Sequence, residues 1–218
     1  MSDLTAIVAG ATGLVGGLLV EEILSRPGWA KVVTVGRRPT GRQHPKLEER
    51  VVDFAALGEG LLPRADAAFC CLGTTIKKAG SQEAFRAVDL DAVLHFARAA
   101  KMGGTDRFFV VTATGADARS RIFYNRVKGE AEEALRQVGF AVLGIARPSL
   151  LLGERAESRP GERVAVAVSR ALGPLLSAFS ARPIEARTVA RALLAMAETS
   201  DQSGARVWSN AELHALGA

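Results

Sequence analysis

Tyr124 and Lys128 stand four residues apart, and Tyr124 is the only tyrosine in the chain. On a helix this spacing puts both side chains on one face, about 5–6 Å apart at Cβ. A phenol that ionises at about pH 10 is a poor acid–base group at neutral pH, and an ammonium beside it favours the phenolate. Such a tyrosine can give a proton to a carbonyl oxygen while hydride arrives from a nicotinamide, and Lys128 can also hold the nicotinamide ribose. A surface helix carrying an amphipathic tyrosine has the same spacing, so the pair takes its meaning from what accompanies it.

What accompanies it is a glycine-rich turn, Gly10-Ala11-Thr12-Gly13-Leu14-Val15-Gly16, which follows a strand pattern at once and opens a helix. Gly10 permits the tight turn, Gly13 lets the backbone approach a diphosphate, and Gly16 lets helix and strand pack closely. Backbone N–H groups at the helix start, with its positive dipole end, attract the phosphates. Thr12, Leu14 and Val15 belong to the same cradle. A glycine triplet alone is weak, but this one has the preceding strand and following helix that a dinucleotide site requires.

A site that prefers NAD(H) usually offers an acid about 20 residues beyond the loop, to hold the ribose hydroxyls. This chain has Gly36-Arg37-Arg38-Pro39 there. Two guanidiniums can clamp a 2′-phosphate through bidentate hydrogen bonds, which favours NADP(H) and leaves NAD(H) open. Asp53, followed by Phe54, can accept from an adenine amino group or cap the turn that follows it. The sequence leaves both roles open.

Short apolar runs alternate with amphipathic helical ones. Strands are expected at Thr5–Ala9, Lys31–Val35, Arg50–Asp53, Ala67–Leu72, Arg107–Thr112 and Ala141–Ala146, with helices near Leu14–Ser25, Gln82–Met102 and Ile122–Val138. Pro27-Gly28, Gly103-Gly104 and Gly139 fall where this order needs breaks. The series reads as an α/β fold, a Rossmann-type doubly wound parallel sheet. The tail is less regular, with helices expected near Arg163–Phe179 and Thr188–Glu198 and a strand at Arg206–Trp208. Residues 1–218 read as one NAD(P)-binding domain whose stretch 147–218 supplies a small substrate-side cap.

Composition narrows the classes. The 218 residues are 48% hydrophobic and 23% charged, enough apolar material for a sizeable core. A formal charge of +5 without any run of like charges suits phosphate-bearing ligands but marks no nucleic-acid arm. Adjacent Cys70 and Cys71 make no disulfide framework, and no apolar run approaches the roughly 18 residues of a membrane span. A cytoplasmic protein without membrane or nucleic-acid partners is expected. His44, His95 and His214 carry no ligand spacing, so no metal site is expected. No Gly-x-Ser-x-Gly elbow points to a hydrolase.

With both motifs in place, the chain resembles the short-chain dehydrogenase/reductase superfamily in its atypical or extended branch, and is similar there to the Tat-interacting oxidoreductase (TIP30)-like group and its bacterial relatives. The resemblance runs over nearly the full length. Its strings are Val52-Asp53-Phe54, Cys70 to Thr75 with Lys78-Ala79-Gly80, Gly115-Ala116-Asp117, Tyr124 through Glu130, Arg147-Pro148, and Glu157 through Glu162. The resemblance implies that Leu72-Gly73-Thr74 passes beside the cofactor, that Tyr124 and Lys128 form the catalytic pair, and that Arg147-Pro148-Ser149 lies at the nicotinamide end.

One departure matters. The family usually has a serine, often a pair, at the end of the fifth strand to polarise the substrate carbonyl. Here Val111-Thr112-Ala113-Thr114-Gly115 puts alanine at the second serine, with Thr112 and Thr114 each one position away. Strand neighbours point to opposite faces, so such a shift has consequences. Two functions follow. One is an NADP(H)-dependent oxidoreductase or epimerase acting on a small carbonyl or hydroxyl compound, with Thr112 or Thr114 as the carbonyl donor. The other is an NADPH-binding regulatory or interaction protein with little or no turnover. A homodimer is the commonest assembly for soluble proteins.

Overall fold

The computed structural model describes residues 3–58, 62–153, 182–199 and 203–218. Apolar runs without polar alternation need cover on both faces, and they receive it. The described strands are β1 (Leu4–Ala9), β2 (Trp29–Gly36), β3 (Leu47–Val51), β4 (Ala67–Cys70), β5 (Arg107–Val111), β6 (Val142–Ala146), β7 (Leu151–Leu152), β8 (Ile184–Glu185) and β9 (Gly204–Trp208). Seven of them form one parallel sheet in the order β3-β2-β1-β4-β5-β6-β9; β7 and β8 pair separately. The order reverses between β1 and β4, and in such sheets a ligand crevice opens at the carboxyl ends of the strands on either side of that reversal.

The helices are α1 (Leu14–Ser25), α2 (Ile76–Ala79), α3 (Gln82–Arg86), α4 (Ala92–Met102), α5 (Phe123–Gln137), α6 (Ala186–Thr199) and α7 (Asn210–Leu216). Strand alternation divides the core. Ala6, Val8, Phe69 and Phe109 pack with Leu19 and Ile23 of α1 and Leu193 of α6. Ile7, Ala9, Cys70 and Phe108 face Phe96 of α4 and Leu135 of α5. Arg187 of α6 bridges Glu21 and Glu22 of α1 at 3.0 and 3.1 Å, tying the two helices on their exposed side.

The parallel Rossmann-type sheet is as the sequence indicates, and the differences are local. β3 ends at Val51 rather than Asp53, because the Asp53 carboxylate accepts the Ala55 N–H at 3.0 Å and turns the chain into a 3₁₀ turn over Phe54–Ala56. The helix expected over Gln82–Met102 is α3 and α4 joined by a π-helical turn, Ala87–Asp91. The short helix α7 carries a capping box, with the Ser209 hydroxyl and Glu212 each accepting at the other's backbone. From the stretch expected to cover the substrate side, β9 and α6 build into the sheet and onto α1. The helix expected near Arg163–Phe179 lies outside the described residues.

Candidate functional site

The glycine turn has no room for side chains. Gly10 has φ +84°, and a Cβ there would stand 2.5 Å from the Cys71 carbonyl oxygen. A Cβ on Gly16 would stand 2.3 Å from the Gly10 carbonyl oxygen. The start of α1 is thereby pressed against the end of β1 and the exit of β4. Gly13 is the N-cap of α1, with no side chain capping it, so the amides of the first turn keep their donors for an anion. Thr12 is exposed beside them. These features fit the diphosphate of a dinucleotide.

From this turn a shallow crevice runs to the end of β2, lined by Ala11, Thr12, Thr34, Gly36, Arg38 and Thr40. Arg37 and Arg38 are exposed, and neither makes an ion pair among the described residues. An acid does stand here, supplied by the neighbouring strand. Glu49 of β3 accepts the Thr40 N–H at 2.6 Å and the Thr40 hydroxyl as well. Asp53 spends one oxygen on its cap, and Phe54 is buried against the core, so Phe54 contributes packing at this end.

At the other end, Lys128 is buried and its ammonium lies 2.7 Å from the buried carboxylate of Asp89. The second Asp89 oxygen accepts the Thr74 N–H at 2.8 Å. Gly73 leans on both groups: a Cβ there would be 3.4 Å from Asp89 Oδ1 and 3.8 Å from Lys128 Nζ. Burial works against the ammonium, but the Asp89 carboxylate and the Tyr124 phenol outweigh it and hold the Lys128 pKa above the usual lysine range. Tyr124 is half-buried one helical turn earlier, its ring 5.5 Å from that of Phe85. Cys70, beneath them, is pushed up to about 12 by burial and is an inert thiol at neutral pH.

Further along the same face of α5, buried Glu132 gathers a second set of partners. Arg147 holds it bidentately at 2.9 and 2.6 Å, and the Thr112 hydroxyl donates to it at 2.7 Å. The Glu132 carboxylate holds the Arg147 guanidinium above its ordinary pKa. Exposed Thr114 donates its hydroxyl to the Arg147 carbonyl at 3.0 Å, and its N–H goes to the Pro148 carbonyl at 2.9 Å. The Ser149 N–H goes to buried Asn210 at 2.9 Å. Both threonine hydroxyls thus donate inward in this arrangement.

The fold brings Gly10 against Cys71 and Leu72, Gly13 and Gly16 against Gly10, Gly73 against Asp89 and Lys128, and Thr74 against Asp89. It places Arg147 under α5. Three acids escaped the sequence reading: Glu49, Asp89 and Glu132. Glu132 had a signal, since Tyr124, Lys128 and Glu132 recur every four residues. Asp89 had a fainter one, as a carboxylate within the apolar face of a helix. A cavity of about 650 Å³ elsewhere, lined by Leu143, Gly204, Arg206 and Trp208, adjoins the first residues of β6 and β9 and lies away from these groups. Among the described residues no helix is long and apolar enough to cross a membrane, and no cluster of potential metal ligands occurs.

A fold of this order with a glycine turn at its switch point defines a nicotinamide-dinucleotide-binding protein. The chain belongs to the NAD(P)H-binding family, which it matches over residues 10–200. It is 38% identical to Protein HTATIP2 of Rattus norvegicus over 199 residues, covering 89% of this chain and 81% of that one. It is 32% identical to Protein FMP52, mitochondrial, of Eremothecium gossypii, covering 98% and 97% of the two chains. Among solved structures it superimposes on MoeE5 in complex with UDP-glucose and NAD with a TM-score of 0.71 at 20% identity, covering 98% of this chain and 81% of that one. Human epimerase family protein SDR39U1 with NADPH gives 0.65 at 19% identity, covering 96% and 77%. The cytoplasmic expectation is overturned by the relatives named mitochondrial, that of Emericella nidulans at 33% identity among them. That expectation rested on the lack of disulfides and membrane spans, features that a folded domain shares across both compartments.

Proposed function

We propose that the protein is an NADP(H)-dependent oxidoreductase acting on a small carbonyl or hydroxyl compound, with Tyr124 as its acid–base group. One observation carries this reading: the buried Lys128 ammonium, one turn from Tyr124, lies against Gly73 on the same β4 exit whose Cys71 closes over Gly10. The Tyr–Lys pair and the proposed diphosphate cradle therefore both adjoin the β4 exit. The amides of the first turn of α1 would hold the diphosphate, and Arg37 and Arg38 a 2′-phosphate. A nicotinamide bound there would supply or take up the hydride. Tyr124 would pass the proton to or from the substrate oxygen, with the buried Lys128 ammonium one helical turn away. Thr114 is the better carbonyl donor of the two threonines: it is exposed and a hydroxyl rotation frees it, whereas Thr112 is buried on Glu132.

The test is titration of the purified protein with NADPH and NADH by fluorescence, then a carbonyl panel followed by NADPH absorbance. Tyr124→Phe is expected to abolish turnover and leave NADPH affinity intact; equal loss of both would end the assignment. The inward donation of both threonine hydroxyls favours a second reading, an NADPH-binding regulatory protein with little turnover. That reading requires a partner whose affinity changes with bound NADPH.

A further inference from the structure

Two glutamates stand side by side on β3, and strand alternation sends them to opposite faces of the sheet. Glu48 pairs with Lys31 and Arg50. Half-buried Glu49 is in register with Thr34, which lines the crevice beside the glycine turn. Glu49 makes no ion pair among the described residues. Its Oε1 instead accepts both the N–H and the hydroxyl of Thr40, another residue of that crevice.

These two bonds belong to a set that fixes the segment carrying Arg37 and Arg38. The Gly36 carbonyl accepts the Val52 N–H at 2.9 Å, just beyond β3. The Thr40 hydroxyl, while donating to Glu49, accepts the Arg42 N–H at 3.2 Å. The Arg42 guanidinium reaches Glu21 of α1 at 2.8 Å. Arg37 and Arg38 thus lie between two held points, Gly36 and Thr40, with both guanidiniums exposed and without ion pairs among the described residues. Held backbone with uncommitted cations is a preorganised anion site, whose ordering happens on folding rather than on binding. We propose that Glu49 is a positioning residue for cofactor choice: through Thr40 it fixes the turn that presents Arg37 and Arg38 to a 2′-phosphate. The inference rests on reading Arg37 and Arg38 as the seat of that phosphate.

NADPH and NADH differ only in the 2′-phosphate, so the split between them reads this role and a general loss of stability does not. The full chain is titrated with each nucleotide by fluorescence, as the parent, Glu49→Ala, Glu49→Gln, and Arg37→Ala/Arg38→Ala with and without Glu49→Ala. Glu49→Ala is expected to weaken NADPH about tenfold and NADH by no more than about twofold. Glutamine keeps an oxygen that can accept both Thr40 bonds, so Glu49→Gln should stay within about threefold of the parent for NADPH. In the background lacking both guanidiniums, Glu49→Ala should weaken NADPH no further, because its effect passes through them. Equal weakening of the two nucleotides, unchanged NADPH affinity in Glu49→Ala, or a full further loss in that background overturns the proposal. If removing both arginines leaves NADPH and NADH affinities where they were, the 2′-phosphate reading itself falls and takes this inference with it. Thr40→Val, which deletes the hydroxyl and keeps the N–H, takes the place of Glu49→Ala should that variant not fold, with the same split expected at about threefold.

Discussion

Two regions at the carboxyl ends of the strands hold their cations in opposite ways. At the end of β2, Arg37 and Arg38 stand in solvent without ion pairs among the described residues. Around α5, Lys128 is buried on Asp89, and Arg147 is clasped by buried Glu132. A solvated, unpaired guanidinium adds little to stability and is free to meet an anion. A buried, paired cation has spent its charge on the protein and fixes the geometry of what surrounds it. The contrast separates exposed, unpaired guanidiniums from cations held by buried carboxylates, and it can be broken by substitutions chosen from each region.

The largest effect is expected at Tyr124. Tyr124→Phe should lower turnover about a thousandfold, in the range of general acid–base loss, with NADPH affinity changed by no more than about twofold. Steady-state rates on an active carbonyl compound, beside a fluorescence titration, check this. Gly16→Ala forces a Cβ onto the Gly10 carbonyl and should cost about 3 kcal/mol and remove NADPH binding. Denaturant unfolding reads the first part, and a variant as stable as the parent would show that the cradle is looser than it looks.

Glu132→Ala should cost about 2 kcal/mol, because Arg147 and Thr112 lose their shared acceptor in a buried place. Arg38→Ala should leave the unfolding midpoint where it was. It should instead weaken NADPH about tenfold, roughly the loss of one charge-assisted contact, while NADH changes little. Equal weakening of both nucleotides would remove the 2′-phosphate role. The smallest effect is a pH dependence. The folded pKa of Lys128 is raised, so its pairing contributes stability fully below the unfolded value of about 10.4 and loses it as pH rises through the folded one. The stability gap between the parent and Lys128→Met should therefore close in alkali.

Much of the fold was legible from residue order. β1, α1, β4 and β5 fall close to their expected places, since buried parallel strands read as unbroken apolar runs and the breaks carry glycine or proline. The misreadings share a cause. Asp53 ends β3 through a side-chain bond to the next turn, which hydrophobic pattern does not register. The π turn changes the helical phase, so Asp89 faces inward where a 3.6-residue period gives Val88 the buried role. At the site, the glycines and the Tyr–Lys spacing were visible because each is a local requirement. The absence of an acid near Arg37 held only along the chain, since Glu49 arrives from the adjacent strand.

By itself, then, the sequence determined the alternation of elements, the glycine turn at the first strand–helix junction and the helical register joining Tyr124 to Lys128. Each depends on residues within a few positions of one another, where backbone sterics and helical periodicity suffice. Tertiary structure alone decided what each carboxylate meets: the Lys128 ammonium for Asp89, the Arg147 guanidinium for Glu132, and the Thr40 N–H and hydroxyl for Glu49. Those pairings join residues from different strands and helices, and a charge distant along the chain finds its partner only when packing has removed water from between them.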